Sequence, residues 1–203
     1  MLAEAARLAG GGRGVAPAAP GLAGQVGRGG RDRLVEGVPG LGERARQKGG
    51  EKVGKNPTDR GKPGSKRHLV SDREGIPLAV VLSAANVHDS KVFEEIVDQI
   101  EPIRRPAGKP GRPRKRPAKL HADKGYDFPR CRKALRERGI KARIARRGKD
   151  TSERLGRHRW VVERTLAWLA RYRRLSVRYE RRADIHEAFL HLGCSLICLN
   201  YLS

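Results

Sequence analysis

Apolar residues follow a regular pattern from about Lys62 onward and none before it. Lys66-Arg-His-Leu-Val-Ser-Asp72 and Ile76-Pro-Leu-Ala-Val-Val-Leu-Ser-Ala84 read as two strands, with Asp72-Arg-Glu-Gly75 as the turn between them. They predict an antiparallel hairpin, and Pro77 falls near a strand start, where proline is tolerated. Asn86-Val-His-Asp-Ser90 supplies N-cap residues. Val92, Phe93, Ile96, Val97 and Ile100 then follow at helical spacing, and Pro102 stops the helix. Leu120–Asp123 is a short strand. A helix is expected over about 128–138, ending at the C-cap Gly139, and Ile140–Ala145 is a further strand. Two more helices are expected, over about 158–172 and 184–201. The last gathers Ile185, Ala188, Phe189, Leu192, Leu196 and Leu199 on one broad face. A hairpin followed by alternating strands and helices predicts an α/β domain, a mixed sheet flanked by helices.

Residues 1–43 contain 12 Gly and 8 Ala, and the first aromatic residue of the chain is Phe93. Such a segment has little to bury against the entropy of ordering it, so it is expected to be a disordered tail. The domain is expected to occupy 44–203, with a basic linker at 104–119 inside it.

Charge narrows the partners. Lys and Arg number 45 against 22 Asp and Glu, a net charge of +23 with a pI near 11.1. No amphipathic anchor or lipidation signal accompanies it, so the charge points to nucleic acid, bound in a salt-sensitive way. Cys131, Cys194 and Cys198 form no disulfide framework, and no apolar run approaches the roughly 20 residues of a membrane span. The expectation is a cytoplasmic protein, associated with the nucleoid when bound to DNA, with no membrane partner.

Two carboxylates stand out in this basic chain. Asp123 ends a strand in Lys119-Leu-His-Ala-Asp-Lys-Gly-Tyr-Asp127, where chemistry gathers in open α/β sheets. Its bland alternative is an ordinary Asp-Lys-Gly turn. Glu163 lies inside a helix with Arg159, Trp160, Leu166 and Ala167 one turn away, on a face that should pack inward. Its bland alternative is an i,i+4 ion pair with Arg159. If the two acids meet, they suit a two-metal site, for which Mg²⁺ (or Mn²⁺) takes oxygen ligands. The linker Lys109-Pro-Gly-Arg-Pro-Arg-Lys-Arg-Pro117 carries Arg112, Arg114, Lys115 and Arg116, either as a minor-groove hook or as a solvated loop touching phosphates. Cys194 and Cys198, with His191 nearby, have metal-ligand spacing, but their Leu-rich setting favours buried thiols. Trp160 and Trp168 read as core residues.

These segments together resemble the DDE transposases of bacterial insertion sequences, in the branch with a compact ribonuclease H-like domain. The resemblance rests on Asp59-Arg-Gly-Lys-Pro-Gly-Ser-Lys66, Asn86-Val-His-Asp-Ser90, His121-Ala-Asp-Lys-Gly-Tyr-Asp127, Arg159-Trp-Val-Val-Glu-Arg-Thr-Leu-Ala-Trp-Leu169 and Asp184-Ile-His-Glu-Ala-Phe189, in that order. It implies cleavage of donor DNA at element ends and joining of the 3′-hydroxyls to target DNA with divalent metal. It implies that Asp123 and Glu163 are the second and third catalytic acids and metal ligands. Arg159, four before the Glu, would work with DNA near the active site. Lys124 and Arg164, beside the two acids, join Arg159 and the linker cations as expected DNA contacts, and a homo-oligomer is a further expected partner.

Departures from the pattern matter. The family's first catalytic Asp lies on an upstream strand, and the matching region, Val35-Glu-Gly-Val-Pro-Gly-Leu-Gly-Glu43, shows neither an Asp nor a strand pattern. Asp32, Glu36 and Glu43 are the acids nearby. Gly156 stands where the family often has Tyr, and Ala170 where a Lys is expected. The upstream helical DNA-binding region is absent too. The Gly, Ala, Arg and Pro excess of residues 1–43 is what GC-rich DNA gives when read out of frame. The tail is therefore read as an out-of-frame segment; the competing reading is a programmed fusion of two frames, in which this chain is one half. A truncated chain with weak or no activity is the expectation, and a non-enzymatic basic DNA-binding protein is the alternative.

Overall fold

The structure is a computed structural model that describes residues 32–37, 50–103, 112–148 and 152–201. Its elements in chain order are β1 (Asp32–Gly37), β2 (Gly54–Lys55), β3 (Pro63–Asp72), β4 (Pro77–Ala84), α1 (Asp89–Asp98), β5 (Lys119–Ala122), α2 (Pro129–Glu137), β6 (Lys141–Ile144), α3 (Ser152–Arg171), α4 (Arg173–Ser176) and α5 (Ala183–Asn200). The strands form one sheet in which β3 pairs antiparallel with β4 on one side and with β1 on the other. β1 runs parallel to β5, and β5 parallel to β6. This is the mixed α/β, ribonuclease H-like arrangement expected from the sequence.

The hairpin forms as expected, and its turn is built from Asp72. The Asp72 carboxylate accepts from the backbone N–H groups of Glu74 and Ile76, both at 2.9 Å, while Gly75 takes φ +89°. A side chain is strained at that angle, so glycine is required there. Consecutive strand residues face opposite sides, which divides the core in two. Val70 and Val81 join Val92, Phe93, Ile96, Leu120, Tyr126 and Leu135 beneath α1 and α2. Leu69 and Val80, their immediate neighbours, join Val161, Val162, Leu166, Leu169 and Leu190 beneath α3 and α5.

Three expectations change. A strand precedes Lys62, where none was read: β1 occupies the middle of the sheet. Only Leu34 and Val35 are aliphatic within Asp32–Gly37, too few to give a period, and pairing on both edges makes the strand instead. The rest of the expected tail, and residues 104–111 of the linker, lie outside the described residues. Helix α3 begins at Ser152, earlier than its apolar period suggests. Finally, α5 buries Ala183, His186, Leu190, Gly193, Cys194, Ile197 and Cys198, whereas Ile185, Leu192, Leu196 and Leu199 are exposed.

Candidate active site

Asp123 follows directly on β5 and caps a single 3₁₀ turn, Lys124–Tyr126. Its Oδ1 accepts from Gly125 N–H at 2.7 Å, which fixes the carboxylate's orientation. Leu120 and Ala122 face the α1–α2 core. The extended backbone of Asp123 (φ −75°, ψ 179°) continues the alternation, which assigns His121 and Asp123 to the opposite face of the sheet, the side on which α3 packs across β1 and β3. Tyr126 anchors the turn from below, its ring 5.2 Å from that of Phe93.

Asp127 closes the same turn. It takes two Arg132 donors on Oδ1, Nε at 3.2 Å and Nη2 at 2.6 Å, and the Arg147 backbone N–H on Oδ2 at 2.9 Å. The Arg147 amide first, then the Arg132 guanidinium, hold its carboxyl below the usual range. Asp127 thus ties the Asp123 turn to the loop after β6. The sequence reading left it out, and its only local signal is the i,i+5 spacing to Arg132.

Glu163 sits half-buried on α3, which packs across β1 and β3. It marks the border of the helix's buried face rather than its centre. Val161, Val162, Thr165, Leu166 and Leu169 are buried, whereas Trp160 is 50% exposed and Ala167 is exposed. Two residues beside Glu163 fasten this helix to the hairpin turn. Thr165 Oγ1 donates to the Gly75 carbonyl at 2.7 Å, and Arg164 Nη2 to the Glu74 carbonyl at 2.5 Å.

Arg164 is therefore committed to structure. Its guanidinium also stacks on Trp160 and Trp168, at 4.5 and 4.8 Å from the ring centroids. That gives Arg164 a structural role beside its expected one as a DNA contact, and corrects the core reading of Trp160, which is 50% exposed and whose indole covers Arg164 at the surface. Lys124 is half-buried in the Asp123 turn, whereas Arg112, Arg114, Lys115 and Arg116 are exposed. Arg114 exchanges backbone hydrogen bonds with Ile103, closing the base of the linker. Arg159 belongs to α3.

Cys194 and Cys198 lie buried in the core under α5; burial pushes both thiols up, Cys198 to about 11. Among the described residues no three or more His, Cys, Asp or Glu side chains converge as a metal cluster. Asp123 and Glu163 are oxygen donors, which fits Mg²⁺ in kind; as a pair they leave any third acid to be found on β1 or elsewhere. On β1, Asp32 pairs with Lys119 at the opposite end of β5 from Asp123. Glu36 pairs with Leu69, and continuing the β1–β5 register by two residues from Leu34–His121 brings it level with Asp123.

A family model for the transposase DDE domain matches residues 36–200. The chain belongs to the DDE transposases. A protein of Burkholderia cepacia named as a candidate transposase for insertion sequence element IS402 is 50% identical over 202 residues. That alignment takes in 100% of this chain and 94% of the relative, and so runs through residues 1–43. The DDE match itself starts inside β1, within the segment read from sequence as tail. No helix among the described residues of this transposase is long and apolar enough to cross a membrane.

Proposed function

We propose that this transposase acts on DNA phosphodiesters at element ends and target, by in-line displacement with Mg²⁺ or Mn²⁺. The observation that carries this is the placement of the two acids. Asp123 follows a parallel strand and by alternation belongs to the side of the sheet on which α3 packs, and Glu163 lies at the border of that helix's buried face. Both would hold the metal, which when bound activates the attacking hydroxyl and neutralises charge on the leaving oxygen. The chain's own work is positioning. Gly125 N–H orients Asp123, while Arg164 and Thr165 hold α3, and with it Glu163, against the Glu74–Gly75 turn. Arg112, Arg114, Lys115, Arg116 and Lys124 supply phosphate contacts, and Arg159 contacts DNA beside Glu163.

This chain alone performs strand transfer weakly or not at all, because β1 brings Glu36 rather than an Asp level with Asp123. The alignment through residues 1–43 supports a tail translated in both proteins over an isolated frameshift in this one.

The test uses the purified protein with Asp123→Asn and Glu163→Gln, on duplex DNA carrying an element end. Wild type should show salt-sensitive DNA binding and a low but measurable level of metal-dependent nicking. Each variant should lower that nicking by more than about a hundredfold, beyond the loss typical of an outer-shell partner, with DNA binding retained. Nicking that persists in both variants, or robust strand transfer by the wild-type chain, would sink the respective part of this reading. Binding with no metal-dependent nicking under any condition would favour the non-enzymatic DNA-binding alternative.

A further inference from the structure

Helix α5 leaves an apolar seam uncovered. Ile185, Leu192, Leu196 and Leu199 are 42%, 56%, 39% and 50% exposed, and Ala188 between them is exposed as well. Scattered surface leucines need no explanation, but a continuous row along one helix does. The row spans 15 positions, about 21 Å of helix.

Its spacing is symmetric. Ile185 and Leu199 each lie seven residues from Leu192, and Ala188 and Leu196 each lie four from it. A helix read backwards from its end therefore presents the same row. Two copies laid antiparallel would match Ile185 with Leu199, Ala188 with Leu196, and Leu192 with itself on a two-fold axis. That self-complementarity is what an isologous interface requires.

Charge selects the same face. Residues 183–203 contain no Lys or Arg, the longest such run in a chain with 45 of them and a net charge of +23. Elsewhere, two copies meeting would bring like charges together. The same lack of cations makes this face a poor surface for DNA. The helix ends favour the antiparallel sense. No basic residue lies in the last turn of α5, while Arg181 is exposed just before its first. Antiparallel pairing brings each Arg181 toward the partner's unneutralised helix C-terminus.

We propose that α5 is a homodimer interface, with two copies packed antiparallel about Leu192. This goes beyond the catalytic reading and does not depend on it.

The test is sedimentation of the full chain without DNA, in 0.05 and 0.5 M salt. Wild type should run at twice 22.5 kDa, and the dimer fraction should rise with salt as repulsion is screened, opposite to DNA binding. Leu192→Glu should run as a monomer with an unchanged circular dichroism spectrum and DNA affinity. Geometry is read by oxidising cysteine variants with copper phenanthroline, since the native thiols are buried. Leu192→Cys alone should cross-link. Ile185→Cys alone should not, and the double variant Ile185→Cys, Leu199→Cys should. A monomeric wild type would overturn the proposal, as would covering of the row by residues 1–31 of the same chain, seen as failure of Leu192→Cys to cross-link. Cross-linking by Ile185→Cys alone would replace the antiparallel arrangement with a parallel one.

Discussion

Arg164 shows how one residue's chemistry is decided by its neighbours. In sequence it is one more cation beside Glu163. In the structure its guanidinium lies against two indoles and donates to the Glu74 carbonyl. Arg164→Ala should therefore lower stability by about 1–2 kcal/mol, from a charged hydrogen bond and the stacking, in urea unfolding. DNA affinity should change little; a stability-neutral loss of DNA binding would contradict the assignment. Asp127 makes a pH prediction. Its folded pKa lies below the ordinary Asp value near 3.9. Its contribution to stability is thus present above about pH 4 and lost as pH falls through the folded value. Asp127→Asn should lower the melting temperature at pH 6 and flatten its fall below pH 4; an acid limb identical to wild type would contradict this. Asp123 was legible as the residue that ends β5 because its motif is local. Asp127 was not, because its second anchor, the Arg147 amide, lies 20 residues away in sequence.

At the level of elements, the β3–β4 turn and α3 form one mechanical unit. A Cβ at Gly75 would sit 2.9 Å from Arg164 Nη2 and 3.0 Å from Thr165 Oγ1, at a positive φ. Gly75→Ala should therefore cost more than about 1 kcal/mol and loosen α3 beside Glu163. Hydrogen exchange in residues 160–169 would rise relative to the sheet, and unchanged protection there would show that the turn does not brace the helix. The hairpin, α1, α2 and β6 were readable because each combines an apolar period with a recognisable stop. β1 was not: its identity as a strand comes from β3 and β5 on either side. Helix α5 was legible as a helix but not in orientation. Its inner side uses Ala183, Gly193, two cysteines and His186, the last hydrogen-bonded to Glu180 at 3.1 Å, and leaves larger leucines outside.

On the scale of the whole molecule, charge and shape separate two surfaces. The linker end carries Arg112, Arg114, Lys115 and Arg116 in exposed positions, and α5 carries no cation. If the four cations touch phosphates, replacing them by Gln should reduce the slope of log affinity against log salt by about 3–4, uniformly across DNA sequences. A slope that stays at the wild-type value would move the DNA surface elsewhere. The centre of the account is that Asp123 and Glu163 act as one metal-holding pair. The most direct test is an electron paramagnetic resonance titration of Mn²⁺ into the DNA-bound protein, for wild type, Asp123→Asn and Glu163→Gln. The account predicts a saturable Mn²⁺ site in wild type that either substitution weakens at least tenfold, with DNA still bound. Equal Mn²⁺ binding in all three proteins would contradict it.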